Sequence, residues 1–322
     1  MKKVIAVVCG GYSGEAVVSM KSADMVMNNI DKERFEPVKV IIGRGEWYAE
    51  YSGEHLSVDK NDFTIRFQNK TIRFDGAFII VHGTPGEDGR LQGYFSMIGI
   101  PHTTGDVLNM SLTFNKKATT RLIGQFGYLV AKSLVLKKSE PYSVSFIVQN
   151  VGLPCFVKPN CGGSSIGTSR VNKAEELHLA LDKAFAEDQE VIIEEFVAGT
   201  EVTCGVIQYE GKITALPITE IVSKKEFFDF EAKYQGASDE ITPARISEEL
   251  TSKVQNACED IYKKLDCRGM IRVDFLLRGN DAFVVEVNTV PGFTEASIIP
   301  QQAAARGIDK TSLISAVIDS SF

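Results

Sequence analysis

Short apolar runs alternate with helical patterns over the first hundred residues. Residues 4–8 and 77–81 are continuous apolar runs of strand length, whereas 16–30 and 91–98 repeat their apolar positions at helical spacing. This order predicts βα units around a largely parallel sheet. The polar stretch 43–62 follows neither period and is expected to be a loop or a small hairpin.

Two further units are expected after the first. A helix is predicted to begin at Asn115, whose side chain can cap it, and a strand over 154–159 carries Lys158. The run 191–196 is interpreted as the opening of a third unit. The predicted parts are 1–105, 106–192 and 193–322. Within the third, 222–242 is rich in charged and aromatic residues without a clean period, which indicates a long functional loop.

A pair of strands near the C-terminus carries the clearest chemical pattern. Residues two apart on a strand share a face, so the segments R-V-D-F-L-L and V-V-E-V-N place four polar side chains on one face: Arg272, Asp274, Glu286 and Asn288. The other face then holds positions 273, 275, 285 and 287, all apolar. This arrangement requires Asp274 to pair with Glu286 and Arg272 with Asn288. It also places Asn280 at the centre of a three-residue loop, 279–281.

Three oxygen-bearing side chains and a guanidinium suit a hard divalent cation and the phosphate that accompanies it. The alternative is a half-exposed hairpin with a solvated charged face. Because Pro291 and Gly292 follow directly, we favour a binding site.

Composition narrows the class of protein. The 322 residues are 44% hydrophobic and 24% charged, which is ordinary for a soluble globular chain of two or three domains. A net charge of -7 argues against a nucleic-acid-binding surface. No apolar run approaches the roughly 20 residues that cross a bilayer. Six cysteines without a C-x-x-C pair indicate reduced thiols in the cytoplasm, and nothing indicates zinc.

Three glycine-rich segments are further candidate sites. Glu15 follows C-G-G-Y-S-G and could bind an ammonium group, or could simply compensate a helix dipole. His82 ends a strand, where open α/β sheets bind ligands, although a lone His is more often structural. Lys158 precedes the small-residue loop N-C-G-G-S-S-I-G, which could cradle phosphate or be a flexible turn. Lys116 and Lys233 are the other lysines that could counter triphosphate charge.

The segment E-E-F-V-A-G-T-E, residues 194–201, has two interpretations. It could be an exposed strand end, or a strand between domains that presents backbone groups to a base and Glu201 to a ribose. Its spacing does not distinguish them.

Together these segments resemble the D-alanine–D-alanine ligase family, within the ATP-grasp fold. The similarity runs from about residue 3 to about residue 318 and keeps the motifs in order: G-G-x-S-x-E-x-x-V-S, H-G-x-x-G-E-D-G-x-L-Q-G, K-P-x-x-x-G-S-S-x-G, E-A-K-Y and E-x-N-T-x-P-G-F-T-x-x-S. The resemblance implies an α/β protein with a Rossmann-like N-terminal parallel-sheet domain, a central lid domain and a C-terminal ATP-grasp domain that together enclose the nucleotide.

The resemblance also implies residue roles. Those for ATP are phosphate contacts by Lys116, Lys158 and Lys233, adenine contacts by Glu194, Phe196 and Val197, and a ribose contact by Glu201. Two Mg²⁺ or Mn²⁺ ions would be held by Asp274, Glu286 and Asn288. The roles for the amino acids are Glu15 on the first ammonium, His82 near its carboxylate, Ser297 on the second carboxylate, Arg272 and the Gly292 N–H on the oxyanion, and Tyr234 with Ser164 and Glu15 closing the loop.

The reaction implied is ATP-dependent joining of two D-alanines through an acyl phosphate, for cell-wall precursor synthesis, by a cytoplasmic homodimer. A Tyr at position 234 goes with an amino acid in the second subsite, which indicates a dipeptide product. Three positions depart from the family pattern: Asn115 for Asp, His102 for Tyr and Glu195 for Lys.

Two rival interpretations stay open from the sequence. Another ATP-grasp carboxylate–amine ligase would use a different amino acid, and Glu15, Tyr234 and Ser297 argue against it. A non-catalytic nucleotide-binding protein would have lost a metal ligand, Arg272 or a phosphate lysine, and all are present.

Overall fold

The computed structural model describes residues 2–223 and 238–322. The first part is a seven-stranded sheet in the order β6-β5-β4-β3-β2-β1-β7. Its strands are β1 Lys3–Gly10, β2 Phe35–Ile42, β3 Trp47–Tyr51, β4 Glu54–Asp59, β5 Thr64–Phe67, β6 Lys70–Ile72 and β7 Gly76–Ile79. Helices α1 (Ala16–Asn29) and α2 (Arg90–Ile98) confirm the two helices predicted from apolar spacing.

The first sheet is mixed rather than largely parallel. Strand β1 pairs parallel with β2 and β7, but the other pairings are antiparallel. The stretch 43–62 supplies the hairpin β3–β4, one of the two outcomes expected for it. Ser52 and Gly53 both have positive φ, as a two-residue turn between antiparallel strands requires. Tight turns of this kind connect only antiparallel neighbours, so the prediction of a largely parallel sheet holds only for β2, β1 and β7 at one end of the sheet.

The second sheet has four strands in the order β11-β10-β12-β9. The strands of this region are β8 Leu129–Val130, β9 Ser133–Lys137, β10 Cys155–Pro159, β11 Ser169–Val171 and β12 Glu190–Glu195. The helices are α3 Val107–Phe114, α4 Lys116–Gln125, α5 Val144–Val151 and α6 Leu177–Phe185, with a 3₁₀ turn at Ala174–Glu176.

Strand β12 lies in this second sheet, although the sequence pattern was interpreted as the opening of the third unit. It pairs antiparallel with β9 and β10. Val191 and Ile193 fill the core beneath α5 and α6, which explains why the strand is held here.

The third sheet runs β16-β15-β13-β17-β18-β8, with β14 paired to β13. Its remaining strands are β13 Thr200–Tyr209, β14 Lys212–Ala215, β15 Thr219–Ser223, β16 Ser238–Ile241, β17 Met270–Arg278 and β18 Asp281–Asn288. Helices α7 Glu248–Lys264, α8 Ile298–Ala305 and α9 Lys310–Asp319 follow in this part. Strands β15 and β16 pair, so both ends of the predicted 222–242 loop are strands.

The first and third sheets share a core. One cluster of buried side chains joins Val7 and Phe78 of the first sheet to Phe293, Ile299 and Leu313. The carboxyl edge of β1 and β7 is thereby held against the segment that follows β18. Among the described residues, no helix is long and apolar enough to cross a membrane.

Candidate active site

A cavity of about 590 Å³ is lined by residues of the second and third sheets and by loop residues of the first part of the chain. Its size is in the range of small-molecule sites. Fourteen of the predicted site residues line it: Glu15, His82, Lys116, Lys158, Ser164, Glu194, Phe196, Val197, Glu201, Arg272, Asp274, Glu286, Asn288 and Gly292. Ser297 lies next to it, since a Cβ on Gly292 would be 3.2 Å from Ser297 Oγ. Lys233 and Tyr234 fall outside the described residues.

The predicted pairing of β17 with β18 is confirmed where it matters for the site. Asp274 pairs with Glu286, and Arg272 with Asn288. The predicted three-residue loop is wrong, because Arg278 pairs with Asp281 and leaves the two-residue turn 279–280.

A bulge after Asp274 takes up the odd residue. Phe275 therefore pairs with Val284, which joins the apolar core together with Val287. Val285 lines the cavity instead of the apolar face to which the regular alternation assigned it.

Asp274 is buried and accepts hydrogen bonds from three side chains. Arg272 donates hydrogen bonds to both carboxylate oxygens of Asp274, from Nε to Oδ1 and from Nη2 to Oδ2, each at 2.8 Å. Thr203 Oγ1 donates to Oδ1 at 2.6 Å, and Asn288 Nδ2 donates to Oδ2 at 3.1 Å. Bidentate guanidinium–carboxylate contacts fix both partners in orientation.

Two lysines enter the cavity from the second sheet and from α4. Lys158 Nζ lies 2.6 Å from Glu194 Oε2, across the β10–β12 pair. Burial acts to lower the pKa of Lys158, but Glu194 and Glu286 outweigh it and raise the pKa. Lys116 Nζ donates to the Gly162 carbonyl at 2.5 Å, and burial lowers its pKa.

The small-residue loop after β10 contacts the turn between β1 and α1. Ser164 Oγ donates to Glu15 Oε1 at 2.5 Å. Ser164 and Ser165 both adopt left-handed backbone, with φ of 53° and 56°, a strained state that concentrates at functional sites. A Cβ on Gly163 would lie 2.8 Å from Glu15 Oε1, so only glycine admits the carboxylate so close.

The 194–201 segment crosses between the second and third sheets and lines the cavity, which favours its interpretation as a strand between domains. The ring centroids of Phe156 and Phe196 lie 6.0 Å apart at this side. The Phe196 N–H donates to the Pro154 carbonyl at 3.2 Å. Val197 is buried beside it.

Comparison with known proteins shows the family. Residues 4–105 match the family model described as D-ala D-ala ligase N-terminus, and residues 122–319 match D-ala D-ala ligase C-terminus. The chain belongs to the D-alanine–D-alanine ligase family. It is 47% identical over 321 residues to the D-alanine–D-alanine ligase of Parabacteroides distasonis, covering 99% of this chain and 97% of that protein. Against the ligase of Bacteroides fragilis it is 44% identical, with 100% of both chains covered.

Solved structures with the same fold include two ligases of known specificity or ligand. VanG D-Ala:D-Ser ligase from Enterococcus faecalis superposes with a TM-score of 0.88 at 33% identity, over 100% of both chains. The D-alanine–D-alanine ligase of Bacillus anthracis complexed with ATP gives a TM-score of 0.78 at 28% identity, over 99% of this chain and 96% of that one. These ATP-grasp neighbours confirm the predicted fold.

His82 of this D-alanine–D-alanine ligase family member makes contacts that the sequence analysis did not expect. Its Nδ1 lies 3.0 Å from the Val290 carbonyl, and its Nε2 lies 3.3 Å from Ser22 Oγ. Burial lowers the pKa of the ring, against the raising effects of Glu15 and the Val290 carbonyl, so the imidazole is neutral near pH 7.

Glu87 is a site residue that the sequence analysis did not select. It lines the cavity, and its Oε2 accepts from the Gly83 N–H at 2.7 Å. A Cβ on Gly83 would lie 2.9 Å from Glu15 Oε2, so both carboxylates converge on this glycine. Burial and the charge of Glu15 raise the pKa of Glu87 to about 8. The sequence signal that could have identified Glu87 is its place in H-G-T-P-G-E, five residues after His82.

The three departures from the family pattern leave the cavity's polar groups in place. Asn115 caps α4 by accepting from the Ala118 N–H at 2.9 Å, as an Asp would. His102 contacts Thr104 at 3.3 Å, and burial lowers its pKa. Glu195 Oε1 accepts from the Lys132 N–H at 2.9 Å. It alternates with Glu194 along β12, so its side chain leaves from the opposite face to the one that carries the Lys158–Glu194 pair.

Proposed function

We propose that the protein joins two D-alanines into D-alanyl-D-alanine, with ATP cleaved to ADP and phosphate, as a step in peptidoglycan precursor synthesis. One observation carries the proposal. The groups that would bind an ammonium, a triphosphate and a developing oxyanion all open into a single cavity, and they come from all three parts of the chain. Family membership supports the same reaction.

For the nucleotide, we assign the phosphates to Lys116 and Lys158, with Lys233 near the γ-phosphate. Lys158 would exchange its contact with Glu194 for phosphate oxygens, because a triphosphate carries more charge than one carboxylate. Glu194 and the backbone of Phe196 and Val197 would hold adenine. Since the Phe196 N–H is already used, its carbonyl and the Val197 N–H are the groups proposed to read the base.

We assign the ribose to Glu201, which lines the same cavity. The backbone N–H groups of the strained Ser164–Ser165 turn would cover the phosphates.

The Asp274–Glu286–Asn288 set fits two Mg²⁺ or Mn²⁺ ions bound together with ATP. Its donors are two carboxylates and an amide oxygen, the hard ligands that these ions prefer. Among the described residues no group of three His, Cys, Asp or Glu side chains could hold a metal alone. That fits Mg²⁺, which is usually bound through one or two carboxylates plus phosphates and water. Bound there, the ions would neutralise charge on the transferring phosphoryl group.

Two steps follow. The carboxylate of the first D-alanine attacks the γ-phosphorus, and ADP leaves, which gives an acyl phosphate. The amine of the second D-alanine then attacks the acyl carbon, loses a proton, and inorganic phosphate leaves from the tetrahedral intermediate. Glu15 would hold the first ammonium. Arg272 and the Gly292 N–H would stabilise the oxyanion, because fixed donors aimed at developing charge lower the barrier.

Ser297 would receive the second carboxylate. Its Oγ accepts from the Thr294 N–H at 2.8 Å, so its hydroxyl proton can be directed toward an anion. Tyr234, with Ser164 and Glu15, is proposed to close the site so that water does not reach the acyl phosphate.

We further propose that the protein is a cytoplasmic homodimer. We also propose that the three parts of the chain are domains, with the boundary between the second and the third after β12.

The test is phosphate release from ATP and Mg²⁺ with D-alanine, L-alanine, or D-alanine plus either D-lactate or D-serine. We expect release with D-alanine alone and D-alanyl-D-alanine by mass spectrometry. No release with D-alanine would contradict the proposal. The D-serine arm is included because VanG, a D-Ala:D-Ser ligase, shares the fold over the full chain; a mixed product formed in preference to the D-alanine dipeptide would favour that specificity.

A further inference from the structure

The turn that carries Gly292 is held from both sides by two side chains of the first part of the chain. On one side His82 Nδ1 contacts the Val290 carbonyl at 3.0 Å. On the other, the Phe293 N–H donates to Ser22 Oγ at 3.4 Å. Ser22 and His82 contact each other at 3.3 Å, which links the two sides. The four residues therefore form a ring of contacts around Pro291 and Gly292.

The hydrogen-bonding capacity of each group allows only one assignment of donors and acceptors in this ring. The Val290 carbonyl can only accept, so Nδ1 must carry the imidazole proton. In a neutral ring Nε2 is then an acceptor, and the Ser22 hydroxyl must donate to it. The Ser22 oxygen is left to accept from the Phe293 N–H. Every donor has an acceptor only with His82 neutral, the state that burial favours.

Burial makes these contacts persistent. Ser22 is fully buried, His82 is 5% exposed, and Val290 and Phe293 are buried as well. Gly292, between them, is partly exposed and lines the cavity. The Phe293 ring packs on Phe78 of β7, 6.2 Å between centroids, in the strand that leads to His82. The turn is thus fixed against the first part of the chain, with Gly292 facing the cavity.

We propose that Ser22 and His82 are positioning residues for the ligation reaction, which hold the Gly292 N–H at the oxyanion through Val290 and Phe293. The inference rests on the proposed function. It gives His82 a role through the turn instead of the contact with the first D-alanine's carboxylate that the family resemblance implied. Both ring nitrogens are already used by protein groups, which leaves no polar atom of His82 for a carboxylate.

Two substitutions at His82 separate the two roles. In His82→Asn the amide nitrogen can occupy the place of Nδ1 and keep the donor to the Val290 carbonyl. In His82→Gln the longer side chain carries its amide to the place of Nε2, and that donor is lost. We expect His82→Asn to keep kcat within about threefold of wild type, and His82→Gln to lower it about 10- to 100-fold, as small misplacements at a reacting centre do.

Ser22→Ala removes the acceptor for the Phe293 N–H and should lower kcat by a similar factor. Ser19→Ala is the matched control. Ser19 is equally buried on the same helix, where it accepts from the Gly10 N–H at 3.0 Å and donates to the Ile80 carbonyl at 2.6 Å. Both substitutions remove a buried hydroxyl with two contacts, whereas the loss of kcat is expected in Ser22→Ala alone.

The readout is kcat and the KM of each substrate, with thermal unfolding of each variant. Positioning of a transition-state contact predicts lower kcat at nearly unchanged KM for ATP and for the first D-alanine. A raised KM for the first D-alanine with unchanged kcat, or equal losses in His82→Asn and His82→Gln, would overturn the proposal. If the proposed function itself is wrong, wild type shows no D-alanine-dependent phosphate release, so the two failures are distinguishable.

Discussion

At the scale of single residues, the Lys158–Glu194 pair shows how the cavity holds charge. The two side chains are 13% and 10% exposed and lie 2.6 Å apart. A buried pair of this kind adds little net stability, but removal of one partner leaves an unpaired buried charge. The same lysine is proposed to bind phosphate, so its roles in folding and in binding can be separated by mutation.

Lys158→Met should destabilise the protein by about 3 kcal/mol, because Glu194 is left without its partner. The double variant Lys158→Met/Glu194→Gln should regain most of that stability yet bind ATP weakly. Denaturant unfolding and ATP titration of both variants check this. Equal ATP affinity in the double variant and in wild type would exclude Lys158 as a phosphate ligand.

Glu87 should make stability depend on pH. Burial and Glu15 raise its pKa from 4.5 to about 8, so the folded state retains a proton that the unfolded state releases. Stability should therefore fall as pH rises between about 4.5 and 8, by on the order of 5 kcal/mol. Glu87→Gln should remove this fall, as measured by unfolding across that range. The exposed Glu33→Gln is the control and should keep the wild-type slope.

At the scale of elements, the hairpin β17–β18 shows what the sequence can predict. Alternation alone placed Arg272, Asp274, Glu286 and Asn288 on one face, because side chains on a strand must alternate. The bulge was not predictable, since it depends on which residue the core accepts, and both Val284 and Val285 are apolar. For the same reason β12 was assigned to the wrong unit: its apolar run suits either sheet.

A hydrogen bond from β13 to this hairpin leads to a testable prediction. Thr203 Oγ1 donates to Asp274 Oδ1 at 2.6 Å from the neighbouring strand. Thr203→Val keeps the shape but removes this hydrogen bond, worth about 1–3 kcal/mol for a charged acceptor. We expect a higher Mg²⁺ concentration for half-maximal activity. Thr214→Val, on β14, should leave that concentration unchanged, and an equal shift in both variants would contradict the assignment.

At the scale of the whole molecule, the cavity exists only where the three sheets are assembled. Pattern analysis identified the contributing segments, but their convergence depends on contacts distant in sequence, such as Ser164 with Glu15 and His82 with Val290. Ser22 and Thr203, which the pattern missed, act by such contacts. Their types are unremarkable within their own segments.

Because ATP would contact several sheets at once, its binding should stabilise the fold as a whole. At a hundred times its dissociation constant a ligand adds about 2.7 kcal/mol. We expect ATP with Mg²⁺ to raise Tm by several degrees in wild type. The rise should be much smaller in Lys158→Met/Glu194→Gln. A rise of equal size in the double variant would place the nucleotide elsewhere.

The bulge at Val285 has a consequence for length variation in the chain. Loss of one residue from a strand normally transposes every later side chain to the wrong face. Here the ladder is regular on either side, with Phe275 opposite Val284 and Asp274 opposite Glu286. Deletion of Val285 would therefore close the ladder without moving a core residue. Such a variant should fold, as circular dichroism would show, but the altered twist beside Glu286 should abolish ligation.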